Sequence, residues 1–239
     1  MDEKEFFGAR KETLEYLKSL YKEEYLEQYS NASDLTAPRR KMYLMEFERI
    51  KRRFDLNKGG NVLDIGCGTG EFLELFGKNW KKYGIEISDG ARKLANKKGV
   101  ITDFKLKDNF FDIIIFRGTI QHIPDPFHKI EESYYWLKKS GIVVFLATPN
   151  THSIVYKLFN DLPMIYEKFN FLLPSDKILR QTLTNFRFND IEFEYPYKNT
   201  PYAKGFRDYI KLVISLIFRS KKKPKFAFPG NMMECYARK

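Results

Sequence analysis

Three glycines at alternate positions, Gly66, Gly68 and Gly70, follow Asp64 in the run NVLDIGCGTGEF, Asn61 to Phe72. Glycine admits positive φ and lets a ligand approach the backbone without a Cβ in the way. A helix starting behind such a loop would offer free N–H groups to an anionic or polar ligand. The spacing is G-x-G-x-G. A dinucleotide loop, G-x-G-x-x-G, would need its third glycine where this chain has Glu71, and no Gly-Lys-Ser/Thr follows to make a phosphate-cradling loop. Cys67 lies inside the loop, a ligand-facing position whose side chain reads as space-filling rather than nucleophilic. Twenty residues after Gly66 comes Glu86, followed by Ile87; an acid at that offset accepts hydrogen bonds from ribose hydroxyls. An imidazole titrates near neutrality, so His122 has two readings, a general base for a hydroxyl group or a side chain bonding the adjacent backbone. His128 and His152 are the other two histidines.

The elements that must position these residues follow from periodicity. Asn61–Ile65, Tyr83–Ile87, Val100–Thr102, Phe111–Phe116 and Ile142–Ala147 read as strands, with helices at Glu71–Phe76, Ala91–Lys98 and Phe127–Lys138 between them. Continuous apolar strands alternating with helices predict a parallel sheet covered on both faces. Ser175–Leu183 reads as a helix with Ser175 as its N-cap, Ile191–Tyr195 as a strand, residues 203–218 as a helix and Met232–Ala237 as a last strand. Before the sheet, residues 4–28 and about 39–54 read as helices, the second with Met42, Met45, Phe47, Ile50 and Phe54 as its apolar face. The expected organisation is a helical cap over 1–58 and a core over 59–239. Within the core, 151–186 forms an aromatic-rich insertion and 203–223 an amphipathic basic helix.

At the residues quoted, the sequence resembles the class I S-adenosylmethionine-dependent methyltransferases. Asp64, Gly66, Gly68 and Gly70 match the D-x-G-x-G-x-G motif of that family. FDIIIFRGTIQHIPDP, Phe111 to Pro126, is similar to its fourth strand and exit. Leu137–Gly141 and Thr148-Pro149-Asn150 are similar to the turn before and the exit after its fifth strand. The resemblance runs from about Asn61 to Asn150. It implies a Rossmann-like, seven-stranded, mostly parallel sheet with helices on both faces, binding S-adenosylmethionine and releasing S-adenosylhomocysteine. It further implies that Glu86 holds the ribose hydroxyls, that Asp103 and Phe104 meet the adenine, and that the N-terminal helical segment covers the donor and lines the acceptor pocket. Arg117 departs from the small or polar residue usual in the family; at the carboxyl end of a strand it suits the donor's carboxylate or an anionic acceptor. Tyr25, Tyr29, Arg39 and Arg40 lie in the covering segment as acceptor-side candidates, with core packing or a solvated face as the alternatives.

Composition narrows the partner. The chain has 239 residues with 42 Lys+Arg and 31 Asp+Glu, a net charge of +11. Residues 219–239 hold seven basic residues against one acid, a net +6 in 21 residues. That focus, and the absence of the motifs of nucleic-acid methyltransferases, argues against a polynucleotide track. No carboxylate trio suggests a metal. Two cysteines and an acidic N-terminus without an apolar run lead us to expect a cytoplasmic protein. The helix over 203–223 is either a sheet-edge helix or an interfacial one reaching the inner face of a membrane. The expected acceptor is a sugar or surface-glycan precursor, phosphorylated or not. The alternatives are a quinone or lipid acceptor and a non-catalytic donor-binding scaffold.

Overall fold

Val62, Leu63 and Ile65, interrupted only by the polar Asp64, form β1 (Gly60–Ile65) inside the sheet, next to its edge strand. In the computed structural model, which describes residues 19, 36–165, 170–218 and 226–239, β1 is flanked by β2 (Trp80–Ile85) and β3 (Phe111–Arg117), both parallel to it. β4 (Leu137–Pro149) continues the parallel set beyond β3. β6 (Met232–Arg238) lies antiparallel between β4 and β5 (Asn189–Glu194), giving the order β2-β1-β3-β4-β6-β5.

The helices are α1 (Ala37–Lys51), α2 (Asp89–Lys97), α3 (Pro126–Trp136), α4 (Ile154–Phe159), α5 (Asp176–Asn185) and α6 (Phe206–Ile217). Ser175 caps α5, its hydroxyl accepting from the Ile178 N–H at 3.2 Å. Apolar clusters cover both sheet faces, as continuous apolar strands require. On one face Leu63, Ile114, Phe116 and Phe145 meet Ile130, Leu179 and Leu183 of α3 and α5. On the other, Val62, Ile113, Ile115 and Val144 meet Tyr43 and Ile50 of α1, Ala95 of α2, and the Phe72, Phe76 and Trp80 rings.

Three expectations change. The segment Val100–Thr102 makes a single parallel bridge, Tyr83 to Ile101, so the sheet has six strands among the described residues. Ile101 is 40% exposed there and cannot help anchor a longer strand. Glu71–Phe76 forms only a 3-10 turn at Leu73–Leu75. It lies between Gly70 and Gly77, and so short a segment does not recover the cost of helix nucleation. The described part of the expected cap, α1, packs directly on the sheet. Its buried stripe is Met42, Tyr43, Glu46, Arg49 and Ile50, with two charged residues where an apolar face was expected. Residues 1–18 and 20–35, Tyr25 and Tyr29 among them, lie outside the described residues.

Candidate functional site

The carboxyl ends of β1, β2 and β3 converge on the glycine loop. Gly66, Gly68 and Gly70 all have positive φ, +79°, +55° and +83°. Their surroundings differ. A Cβ on Gly66 would strike Thr119 after β3, 2.4 Å from its Oγ1, so that glycine serves a close approach of two strand exits. A Cβ on Gly68 would meet nothing within 4 Å. The loop therefore has open space at its centre, where a ligand can touch the backbone. Cys67 turns inward: a Cβ on Gly84 would lie 2.5 Å from its Sγ, and the thiol is buried with its pKa pushed well up by desolvation. Of Cys67, only the backbone can face a ligand.

Glu86 follows β2 and reaches back to the loop. Its carboxylate accepts from the N–H of Gly68 and from the N–H of Ser88, each at 2.9 Å, and Ile87 adds a third backbone donor. Burial raises its pKa against the pull of these donors. Asp64, at the end of β1, is 2% exposed and its Oδ1 has no hydrogen-bond partner. Desolvation pushes this carboxyl up to about 7, opposed by Arg117 and reinforced by Glu86 and Glu46. An orphaned buried oxygen beside an open glycine loop is a place for a ligand cation or donor group, because leaving it unpaired is costly. These residues fit a nucleoside-bearing cation.

Arg117 is committed to the protein. Its Nε donates to Glu46 Oε2 at 2.7 Å and its Nη2 to Oε1 at 3.3 Å, while its guanidinium lies 4.1 Å over the Tyr43 ring. Glu46 is fully buried. Arg39 bonds the hydroxyl of the same tyrosine at 2.9 Å, so Tyr43 is held between two guanidinium groups. Arg40 is exposed. Phe104 packs edge-on against Tyr83, with centroids 5.0 Å apart, and against Phe111, and the ring is partly buried at the margin of the core. Asp103 is exposed beside it.

His122 ends a 3-10 turn behind β3, its N–H donating to the Thr119 carbonyl at 2.8 Å. Its Nε2 lies 3.3 Å from the Gln121 amide nitrogen. A second imidazole escaped the sequence reading. His152 Nδ1 is 2.9 Å from Asp176 Oδ1, and Tyr195 donates to the other oxygen of Asp176 at 2.6 Å. Two backbone contacts from beyond His152 tie both histidines to one end of the sheet: Phe171 N–H bonds the Gln121 carbonyl, and Thr151 N–H bonds the Pro174 carbonyl. The two partners are 24 residues apart; the acidic start of α5 behind Ser175 was the available signal.

Residues 38–192 match the family described as "Methyltransferase domain". The demethylmenaquinone methyltransferase of Geobacillus stearothermophilus is 26% identical over 142 residues, 52% of this chain and 58% of that protein. That of Staphylococcus aureus strain JH9 is 25% identical over 137 residues, 51% and 56%. The chain thus spans less than two thirds of these curated relatives. Among solved structures, a Thermotoga maritima S-adenosylmethionine-dependent methyltransferase, described as a possible histamine N-methyltransferase, superposes with a TM-score of 0.60 at 22% identity. The match covers 89% of this chain and 97% of that one. The Haemonchus contortus phosphoethanolamine N-methyltransferase 2, in complex with phosphomonomethylethanolamine and S-adenosylhomocysteine, gives 0.56 at 18% identity, covering 82% and 52%. At these identities the solved structures share the fold. The chain belongs to the methyltransferase-domain family and has the fold of the class I S-adenosylmethionine-dependent methyltransferases.

Proposed function

We propose that the protein transfers the methyl group of S-adenosylmethionine to a hydroxyl of a small-molecule acceptor, a sugar or surface-glycan precursor. The observation that carries donor binding is the Glu86 carboxylate, fixed by the Gly68 and Ser88 N–H groups at the open centre of the glycine loop. In this reading Glu86 accepts the ribose hydroxyls, the unpaired Asp64 oxygen takes the donor's ammonium, and Gly68 lets the donor lie on the backbone. When bound, the donor supplies a sulfonium-activated methyl group. The protein's own contribution is then to align the acceptor, exclude water and accept a proton.

His122 is the proposed base. If Gln121 donates to its Nε2, that lone pair is engaged until the acceptor replaces the amide. His152 is the alternative: with Asp176 accepting from Nδ1–H, its Nε2 is left as the basic nitrogen and the ring is already oriented. In this reading Arg39 and Arg40, at the start of α1, are the candidates for an anionic handle. The Arg117 guanidinium acts by fixing Tyr43 and Glu46.

A second acceptor class, a quinone or lipid, is supported by the names of the curated relatives. Turnover with labelled donor against nucleotide-sugars, quinones and RNA tests all of this. Product only with a nucleotide-sugar supports the glycan acceptor, and product only with a quinone the second class. Labelled RNA would sink both. Tight donor binding without any product would leave a scaffold.

A further inference from the structure

Helix α6 is mounted with its apolar side outward. Phe206, Ile210, Val213, Ile214, Ile217 and Phe218 are between 42% and 78% exposed. The stripe that holds the helix to the protein is narrow and partly polar. Asp208, 1% exposed, accepts from the Lys204 N–H at 2.7 Å and from the Tyr197 hydroxyl at 3.0 Å. Leu212 packs on the small cluster of Val155, Leu162, Phe226 and Phe228. The sheet-edge expectation for this helix is therefore corrected, because it packs on that satellite cluster instead of on β5 or β6.

We propose that α6 is an interfacial helix that seats the protein on an anionic lipid bilayer. The exposed face carries aliphatic and aromatic side chains with no carboxylate or amide among them, which suits acyl chains and offers a protein partner no hydrogen bonds. Lys204, Arg207 and Lys211 are exposed beside it, placed for phosphate headgroups, and the only carboxylate on the helix is the buried Asp208. Twelve residues make a helix about 18 Å long, enough to lie in the headgroup region and too short to cross a hydrocarbon core of about 30 Å. No helix of the described residues is long and apolar enough to cross a membrane. The satellite cluster under α6 is built on α4, just beyond the carboxyl end of β4, and Asn150 at that strand end bonds the Asn231 carbonyl. The bilayer would thus meet the protein on the side of the sheet where the glycine loop opens. This inference stands whichever acceptor is methylated.

The test is co-sedimentation of the full chain with vesicles of phosphatidylcholine alone and of phosphatidylcholine mixed with an equal part of phosphatidylglycerol. The protein is expected in the pellet with the anionic vesicles only. Val213→Glu/Ile217→Glu and, separately, Lys204→Glu/Lys211→Glu are expected to lower that partition by about tenfold or more. Because all four side chains are at the surface, the far-ultraviolet spectrum and melting temperature of both variants should match the parent. Equal partition of parent and variants, or a parent that stays in solution, would overturn the proposal. A vesicle-independent dimer abolished by the glutamates would overturn it too, and assign the face to a second copy.

Discussion

Arg117, at the carboxyl end of β3, and Glu46, in the middle of α1, form a two-contact ion pair 71 residues apart in sequence, with the Tyr43 ring stacked beneath the guanidinium. Removing the arginine leaves a fully buried carboxylate beside Asp64. Arg117→Ala is expected to cost about 3–5 kcal/mol of stability. The paired replacement Arg117→Met with Glu46→Leu should recover most of that loss, because no uncompensated charge remains. Urea denaturation of the single and double variants measures the difference.

Asp64 makes stability depend on pH with a definite sign. Its carboxyl titrates at about 7 in the folded protein and near 3.9 when unfolded. Between these values the unfolded chain is ionised and the folded one still holds the proton. Stability from this group is therefore greatest below pH 4 and falls as pH rises to 7, by an amount on the order of 4 kcal/mol, and is flat above. Asp64→Asn should abolish that component. The gap between parent and variant, followed by denaturation from pH 4 to 8, checks it.

Glu86→Ala should weaken donor binding by roughly 1–3 kcal/mol, since two hydroxyls lose an ionised acceptor. The glycines sharpen the comparison. Gly66→Ala forces a Cβ onto Thr119 and should lower stability by about 1–3 kcal/mol. Gly68→Ala meets no protein atom, so donor affinity should fall more than its positive φ alone lowers stability. Calorimetry with S-adenosylhomocysteine, alongside thermal melts, separates the two effects.

His122→Ala should reduce turnover by about two to four orders of magnitude and leave donor affinity nearly unchanged if His122 is the base. A drop in melting temperature without that loss of turnover would mark it as structural. The same pair of measurements on His152→Ala shows whether the imidazole oriented by Asp176 carries the proton instead.

The parts of this fold written in short-range pattern were legible. The alternate glycines and the spacing to Glu86 are backbone requirements, and the apolar strands are uninterrupted because both sheet faces are covered. Pattern failed where a residue's partner is distant. The buried stripe of α1 holds Glu46 and Arg49, which look like a solvated face until Arg117 and Glu234 are brought to them. The His152–Asp176 contact depends on Thr151 and Pro174 meeting through a backbone bond across 23 residues. For α6 the sequence showed an apolar face but not which face would be turned to the protein; the buried Asp208 decides it. Phe104 was read by analogy, and its edge contacts with Tyr83 and Phe111 could not be foreseen from spacing.

Arg49 on α1 donates to Glu234 on β6 through two nitrogens, its Nε at 2.5 Å, and Tyr236 bonds the same carboxylate. The partners are 185 residues apart. At about 5–20 residues per second, a ribosome needs roughly 10–40 s to travel from one to the other. During that interval α1 carries a cation whose buried two-nitrogen partner does not yet exist, Glu194 on β5 offering only a longer contact of 3.8 Å. The wall beside the candidate site is thus completed by a strand made long after the glycine loop. A nascent chain stalled before residue 232 would hold the whole glycine loop and still lack a seated wall over it.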